Sequence, residues 1–192
     1  MALHFSLRRL LPSALLYLAL LGAAIALDGL LHVTGQVGLG RFLGIAGTLA
    51  ILVSFLYSLR KRKVLGAGSH AGLLKLHEVL GWVGAVMVVV HGGIHFNAVI
   101  PWLAVAAMLV VVASGFVGKY LLAEARASLK AEELELRSRQ VPEPRIEREL
   151  LGHSLLVATM KRWREVHMPL TMAFCGLALV HVGATLLLWG WR

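Results

Sequence analysis

The stretch HEVLGWVGAVMVVVHGGIHF, His77 to Phe96, sets three histidines and one glutamate into a run that is otherwise apolar enough to cross a membrane. Ionisable groups in hydrocarbon are expensive and default to a functional reading. The job of these imidazoles therefore decides what kind of protein this is.

The surrounding chain supplies the context. Its 192 residues are 58% hydrophobic and only 15% charged, far from the roughly 25% charged balance of a soluble domain, and the mean hydropathy is +0.78. A spanning helix needs about 20 mostly apolar residues. Five stretches qualify, near residues 10–31, 38–59, 73–95, 98–122 and 166–189. The expected fold is an all-α integral membrane domain over residues 1–192, with spans two to five forming a four-helix bundle and span one at its flank.

Charge orients these spans. Arg8 and Arg9, the run Arg60-Lys61-Arg62-Lys63 and the basic segment after Lys119 alternate with gaps where only Arg41 and Arg192 appear. By the positive-inside rule the amino terminus is cytoplasmic and the carboxyl terminus periplasmic, as in a multi-pass protein of a bacterial inner membrane. The net charge of +9 then reflects topology and contact with anionic lipid. Nucleic-acid binding is not expected, because no groove-reading motif accompanies the basic residues. The first apolar run is too long for a cleavable signal and lacks a small-x-small site, so it reads as a retained helix.

Residues 119–165 hold eight of the ten acidic and ten of the nineteen basic residues. This cytoplasmic loop, centred on residues 123–164, reads as two short helices broken at VPEP, the second lying on the membrane surface. It is either a solvated connector or a docking surface. The glycine runs GLGRFLG and GAGSHAG imitate nucleotide loops, but neither follows a strand in a βαβ unit. They read as turns or close-packing glycines.

The histidine spacing carries the functional signal. His77 and His91 are fourteen positions apart, which puts them on nearly one face and about 21 Å apart along the axis. In the fifth span His167 and His181 are again fourteen apart. Both spans are odd-numbered and run the same way, so His77 comes level with His167 and His91 with His181. Two levels of opposed imidazoles can ligate two b-type haems stacked across a membrane. Gly81 and Gly84 continue the histidine face of span three, where missing side chains would admit a flat macrocycle, and Ala178 is similarly small on span five. Phe174 is the bulky exception, suited to the space between two haems.

A single metal would want its ligands clustered and a proton relay would want acids between the levels; neither pattern is present. His95, one turn past His91, is the alternative outer ligand or a propionate contact. His4, His32, His70 and His153 lie near polar gaps and read as interfacial. For anionic haem propionates the candidates are Lys75, Arg162 and Arg164 at the inner rim and Arg41 at the outer one; the competing reading for each is a snorkelling cation. Cys175 stands alone, which leaves no CxxCH attachment site and no iron-sulfur ligand set.

The pattern HEVLGWVGAVMVVVHGGIHFN resembles the third transmembrane helix of ferric reductases and NADPH oxidases, and HMPLTMAFCGLALVHVGA is similar to the matching haem helix of that superfamily. The resemblance covers spans three to five. It implies haem ligation by His77, His91, His167 and His181. Members of that family commonly carry six spans followed by flavin and nicotinamide domains, whereas this sequence stops a few residues past its fifth span. The expectation is therefore a cytochrome b subunit that passes electrons between a quinol or cytoplasmic flavoprotein and a periplasmic partner such as a c-type cytochrome. Respiratory cytochrome b subunits share the paired-histidine plan, so a quinone-reactive subunit, with a quinone beside one haem, is the close alternative. A ferric reductase-type haem subunit is another, and a haem-free scaffold or transporter is the reading from a different class.

Overall fold

The computed structural model describes residues 2–64, 66, 68–93 and 98–189. Seven α-helices occur among them: α1 (Ala2–Val33), α2 (Leu39–Ser54), α3 (Leu56–Lys61), α4 (His70–Gly93), α5 (Val99–Phe116), α6 (Leu122–Ser138) and α7 (Glu143–Ala184). No strand occurs among the described residues. Five segments are long and apolar enough to cross a membrane: Leu11–Val33, Leu39–Lys61, His70–Gly93, Val99–Ser138 and Glu165–Leu188. The protein is an all-α, multi-pass membrane protein whose exposed leucine, isoleucine and valine side chains suit contact with lipid.

The spans pack as two close pairs, α2 against α4 and α5 against α7, joined where α4 meets α5. α1 lies against α4 and against the wide π turn Val117–Leu121 that links α5 to α6. It does more than flank the bundle. Leu20, Ala24 and Leu31 of α1 are buried in one core with Ala85, Val86 and Val90 of α4, Ala104 and Met108 of α5, and Phe174 of α7. The Trp82 indole N–H of α4 donates to the Leu16 carbonyl of α1 at 3.3 Å.

The α2/α4 contact is glycine against glycine. A Cβ on Gly47 would lie 2.9 Å from the Gly84 carbonyl oxygen, and one on Gly84 would lie 2.9 Å from the Gly47 carbonyl oxygen and 2.8 Å from Ile51. Gly40, Gly44 and Gly47 are buried and recur on one face of α2, so Gly40 and Gly44 of GLGRFLG and Gly47 after it serve close helix packing, while Gly38 is exposed with open space around it. In the second glycine run, Gly68 has φ +94°, a turn conformation that a side chain would strain.

The polar connector departs from the expected pair of short helices. The break at VPEP is present: α6 ends at Ser138 and α7 begins at Glu143, with Pro142 capping it. From there α7 continues unbroken for 42 residues, past the internal Pro169, a length of about 63 Å against a hydrocarbon core of about 30 Å. The amphipathic segment expected on the membrane surface is thus the outward extension of the fifth span. It pairs with α6 in an antiparallel hairpin. Leu122, Ala125, Ile146 and Leu150 are buried there, an ion pair joins Arg137 to Glu143 at 3.0 Å, and a hydrogen bond joins His153 to Glu132.

The glycine contact makes a differential prediction. Gly84→Ala must push against backbone and Ile51, and should lower the stability of the detergent-solubilised protein by about 1–3 kcal/mol. Gly81, where an added Cβ meets nothing within 4 Å, should tolerate alanine with a change below about 1 kcal/mol. Thermal unfolding followed by circular dichroism checks both.

Candidate functional site: two levels of opposed histidines

The α2/α4 pair fixes both histidines of α4. The His91 Nδ1–H donates to the Gly40 carbonyl at 3.0 Å, and the His77 Nδ1–H donates to the Ser54 carbonyl at 3.1 Å. These contacts and the glycine contact share one register. From Gly40 with His91, seven residues forward on α2 and seven back on α4 reach Gly47 with Gly84; seven more reach Ser54 with His77. Two helical turns separate each step, about 10.5 Å.

A backbone carbonyl can only accept, so each of these rings carries its proton on Nδ1. His167 of α7 is fixed by different chemistry. The hydroxyl of Ser114 on α5, itself 1% exposed, donates to the Val111 carbonyl at 2.7 Å and therefore accepts from His167 Nδ1–H at 2.5 Å. Three of the four imidazoles are thus held with the proton on Nδ1 and the lone pair on Nε2. That is the orientation in which second-shell bonds hold metal-ligating histidines.

The pairing across the bundle is direct at one level. The His91 and His181 ring centroids lie 6.2 Å apart, with their planes at 51°. Two imidazoles bound on opposite sides of one metal at about 2.0–2.1 Å each have centroids roughly 6 Å apart, and rotation about the shared axis allows any angle between their planes. At the other level His77 stacks on Tyr57 at 5.6 Å, and His167 is held by Ser114. α4 and α7 do not pack as a close pair. The gap between them is bridged by side chains, and Phe174, midway between His167 and His181, is buried there.

The small residues divide their roles. Gly84 is taken up by the α2 contact rather than by the space facing α7. The ring-admitting glycine at the outer level is Gly44, where a Cβ would lie 2.7–2.8 Å from the His91 ring. Gly81 faces open space. Beside His181 an apolar hollow of about 440 Å³ is lined by Ala98, Pro101, Ala184, Thr185 and Leu188 among others. The rim cations Lys75, Arg41 and Arg162 are exposed. The Arg164 side chain and His95 lie outside the described residues. Among the described residues no three of His, Cys, Asp and Glu gather as a metal cage.

Sequence reasoning missed Ser114 and Gly44. The first had a signal, a serine in the otherwise apolar AVAAMLVVVASGF; the second belonged to a glycine face already marked for packing. An ion pair of Lys119 with Glu78 at 2.5 Å, beside His77 in the chain, was also unforeseen. It depends on the π turn, which hydropathy does not reveal.

Comparison with family models, curated proteins and solved structures returns no match for this chain. The functional reading rests on sequence pattern and geometry.

Removing the Ser114 hydroxyl isolates one orienting bond. Ser114→Ala leaves the His167 Nδ1–H without that acceptor and should cost about 1–3 kcal/mol of stability. In ¹⁵N-histidine spectra of the metal-free protein, the His167 Nδ1 resonance should shift, while those of His77 and His91 stay in place.

Proposed function

We propose that the chain is a membrane dihaem cytochrome b subunit that moves electrons across the bilayer between a quinol or cytoplasmic flavoprotein and a periplasmic redox protein such as a c-type cytochrome. The observation that carries the reading is the His91/His181 pair, whose 6.2 Å centroid separation suits two axial ligands on one iron. His77 and His167 would hold the second haem. A bound haem supplies an iron that takes up and gives back one electron, with its potential set by ligands, hydrogen bonds and burial.

The chain's own contribution is orientation and exclusion of water. Gly40, Ser54 and Ser114 hold three imidazoles by Nδ1, the orientation in which Nε2 would be the ligating atom, and hydrogen bonding at Nδ1 would raise the basicity of such a ligand. Gly44 gives the His91 ring its room. Lys75 and Arg162 at one rim and Arg41 at the other are candidates for propionates, and His95 remains the alternative outer ligand. The distribution of lysine and arginine favours the α6/α7 hairpin on the cytoplasmic side of a bacterial inner membrane and the His91/His181 level on the periplasmic side. The hairpin is then the surface for a cytoplasmic donor or acceptor.

A pyridine haemochrome assay with reduced-minus-oxidised spectra on purified protein tests this. About two b haems per chain are expected, with one lost in His77→Ala and the other in His181→Ala. Well-folded wild-type protein free of haem would overturn the reading and return the histidines to packing or transport.

A further inference from the structure

α2 stops at Ser54 and α3 starts at Leu56, in a stretch, LVSFLYS, that holds neither proline nor glycine. The break therefore has another cause. Ser54 is 3% exposed, its hydroxyl donates to the Ile51 carbonyl at 2.6 Å, and its carbonyl accepts the His77 Nδ1–H at 3.1 Å. A serine bonded back to a carbonyl one turn earlier bends a helix, and a carbonyl at a helix end is open to a donor from elsewhere. The chain passes on through a tight turn, with the Phe55 N–H on the Leu52 carbonyl at 3.1 Å. Tyr57, three residues past Ser54, then lies against the very ring that the Ser54 carbonyl holds. The Tyr57 and His77 centroids are 5.6 Å apart, with their planes at 30°.

The outer level repeats the carbonyl without the aromatic ring. His91 bonds the Gly40 carbonyl, and against its ring stands Gly44, where a Cβ would lie 2.7–2.8 Å from three ring atoms. The same chain segment thus lays backbone on one imidazole and a phenol on the other.

We propose that Tyr57 is a positioning residue for the inner haem: its ring fixes the plane of His77 and, through its electron-rich face, lowers the reduction potential of the iron that His77 would ligate. The inference rests on the dihaem reading and concerns how the two levels differ. The face of an aromatic ring is negative and attracts positive charge. An imidazole on ferric iron carries more positive charge than one on ferrous iron, so the phenol stabilises the oxidised form more. Hydrogen bonding at Nδ1 acts on His77 and His91 alike, whereas the Tyr57 face acts on His77.

The test uses the full chain in detergent as wild type, Tyr57→Phe and Tyr57→Leu, with the inner haem identified as the one lost in His77→Ala. In a spectroelectrochemical titration Tyr57→Leu should make the reduced-to-oxidised ratio of the inner haem about threefold higher at a fixed potential, with the outer haem unchanged. Tyr57→Phe, which keeps the ring, should match wild type. If Tyr57→Leu sheds the inner haem, Tyr57→Trp decides, because its more negative face should shift the ratio about threefold the other way. An inner haem that titrates alike in all variants, a shift shared equally by both haems, or a Tyr57→Phe shift as large as that of Tyr57→Leu would overturn the role of the ring and leave the dihaem reading standing. The contact itself is read in haem-free protein, where the ring-proton resonances of His77 should move in Tyr57→Leu and stay in Tyr57→Phe; no movement in either would overturn the proposal. Folded wild-type protein that never takes up haem would overturn the dihaem reading with it.

Discussion

The arrangement depends on how closely α2 approaches α4. Where Gly47 meets Gly84, each backbone carbonyl stands 2.9 Å from the point a Cβ on the other glycine would occupy. With the backbones this near, carbonyls seven residues to either side fall within reach of the imidazoles of His77 and His91. In hydrocarbon, where an unmet polar group is costly, such bonds orient a ring firmly. A single packing contact thus sets the height, tautomer and direction of two histidines, one toward each side of the membrane.

The second pair, α5 with α7, completes each level by different means. Ser114 performs for His167 what a backbone carbonyl performs for His77 and His91, and His181 faces His91 without a close contact between the helices that carry them. Phe174 fills the stretch between the levels, sharing a core with Leu20 and Ala24 of α1. Close packing within each pair and side-chain contact between pairs is the distribution a bundle needs if something flat is to sit between them. Lipid offers no hydrophobic drive to close such a gap, so its width is set by packing within the pairs.

Much of this was legible in the sequence. The five spans and the two fourteen-residue intervals come from hydropathy and helical period, which depend on side-chain type alone. The break at VPEP was legible because proline and its predecessor cannot continue a helix. The continuity of α7 was not: the change from charged to apolar near Glu165 marks a change of surroundings, and a helix passes through it unaltered. Gly84 shows a second limit. Period placed it correctly on the histidine face, but period says which residues share a face and not which neighbour that face meets. The orienting carbonyls of Gly40 and Ser54 were invisible for a simpler reason, since every residue has one.

The proposal to be tested is that each histidine level holds one metal between two opposed imidazoles, three of the four oriented by a hydrogen bond at Nδ1. Low-temperature electron paramagnetic resonance of the oxidised, purified protein addresses it directly, in wild type and in Gly44→Val, which crowds the His91 ring. Two low-spin ferric signals of bis-imidazole type are expected in wild type, with only one altered or lost in Gly44→Val. Folded wild-type protein showing no low-spin iron, or a variant that leaves both signals intact, would contradict the account.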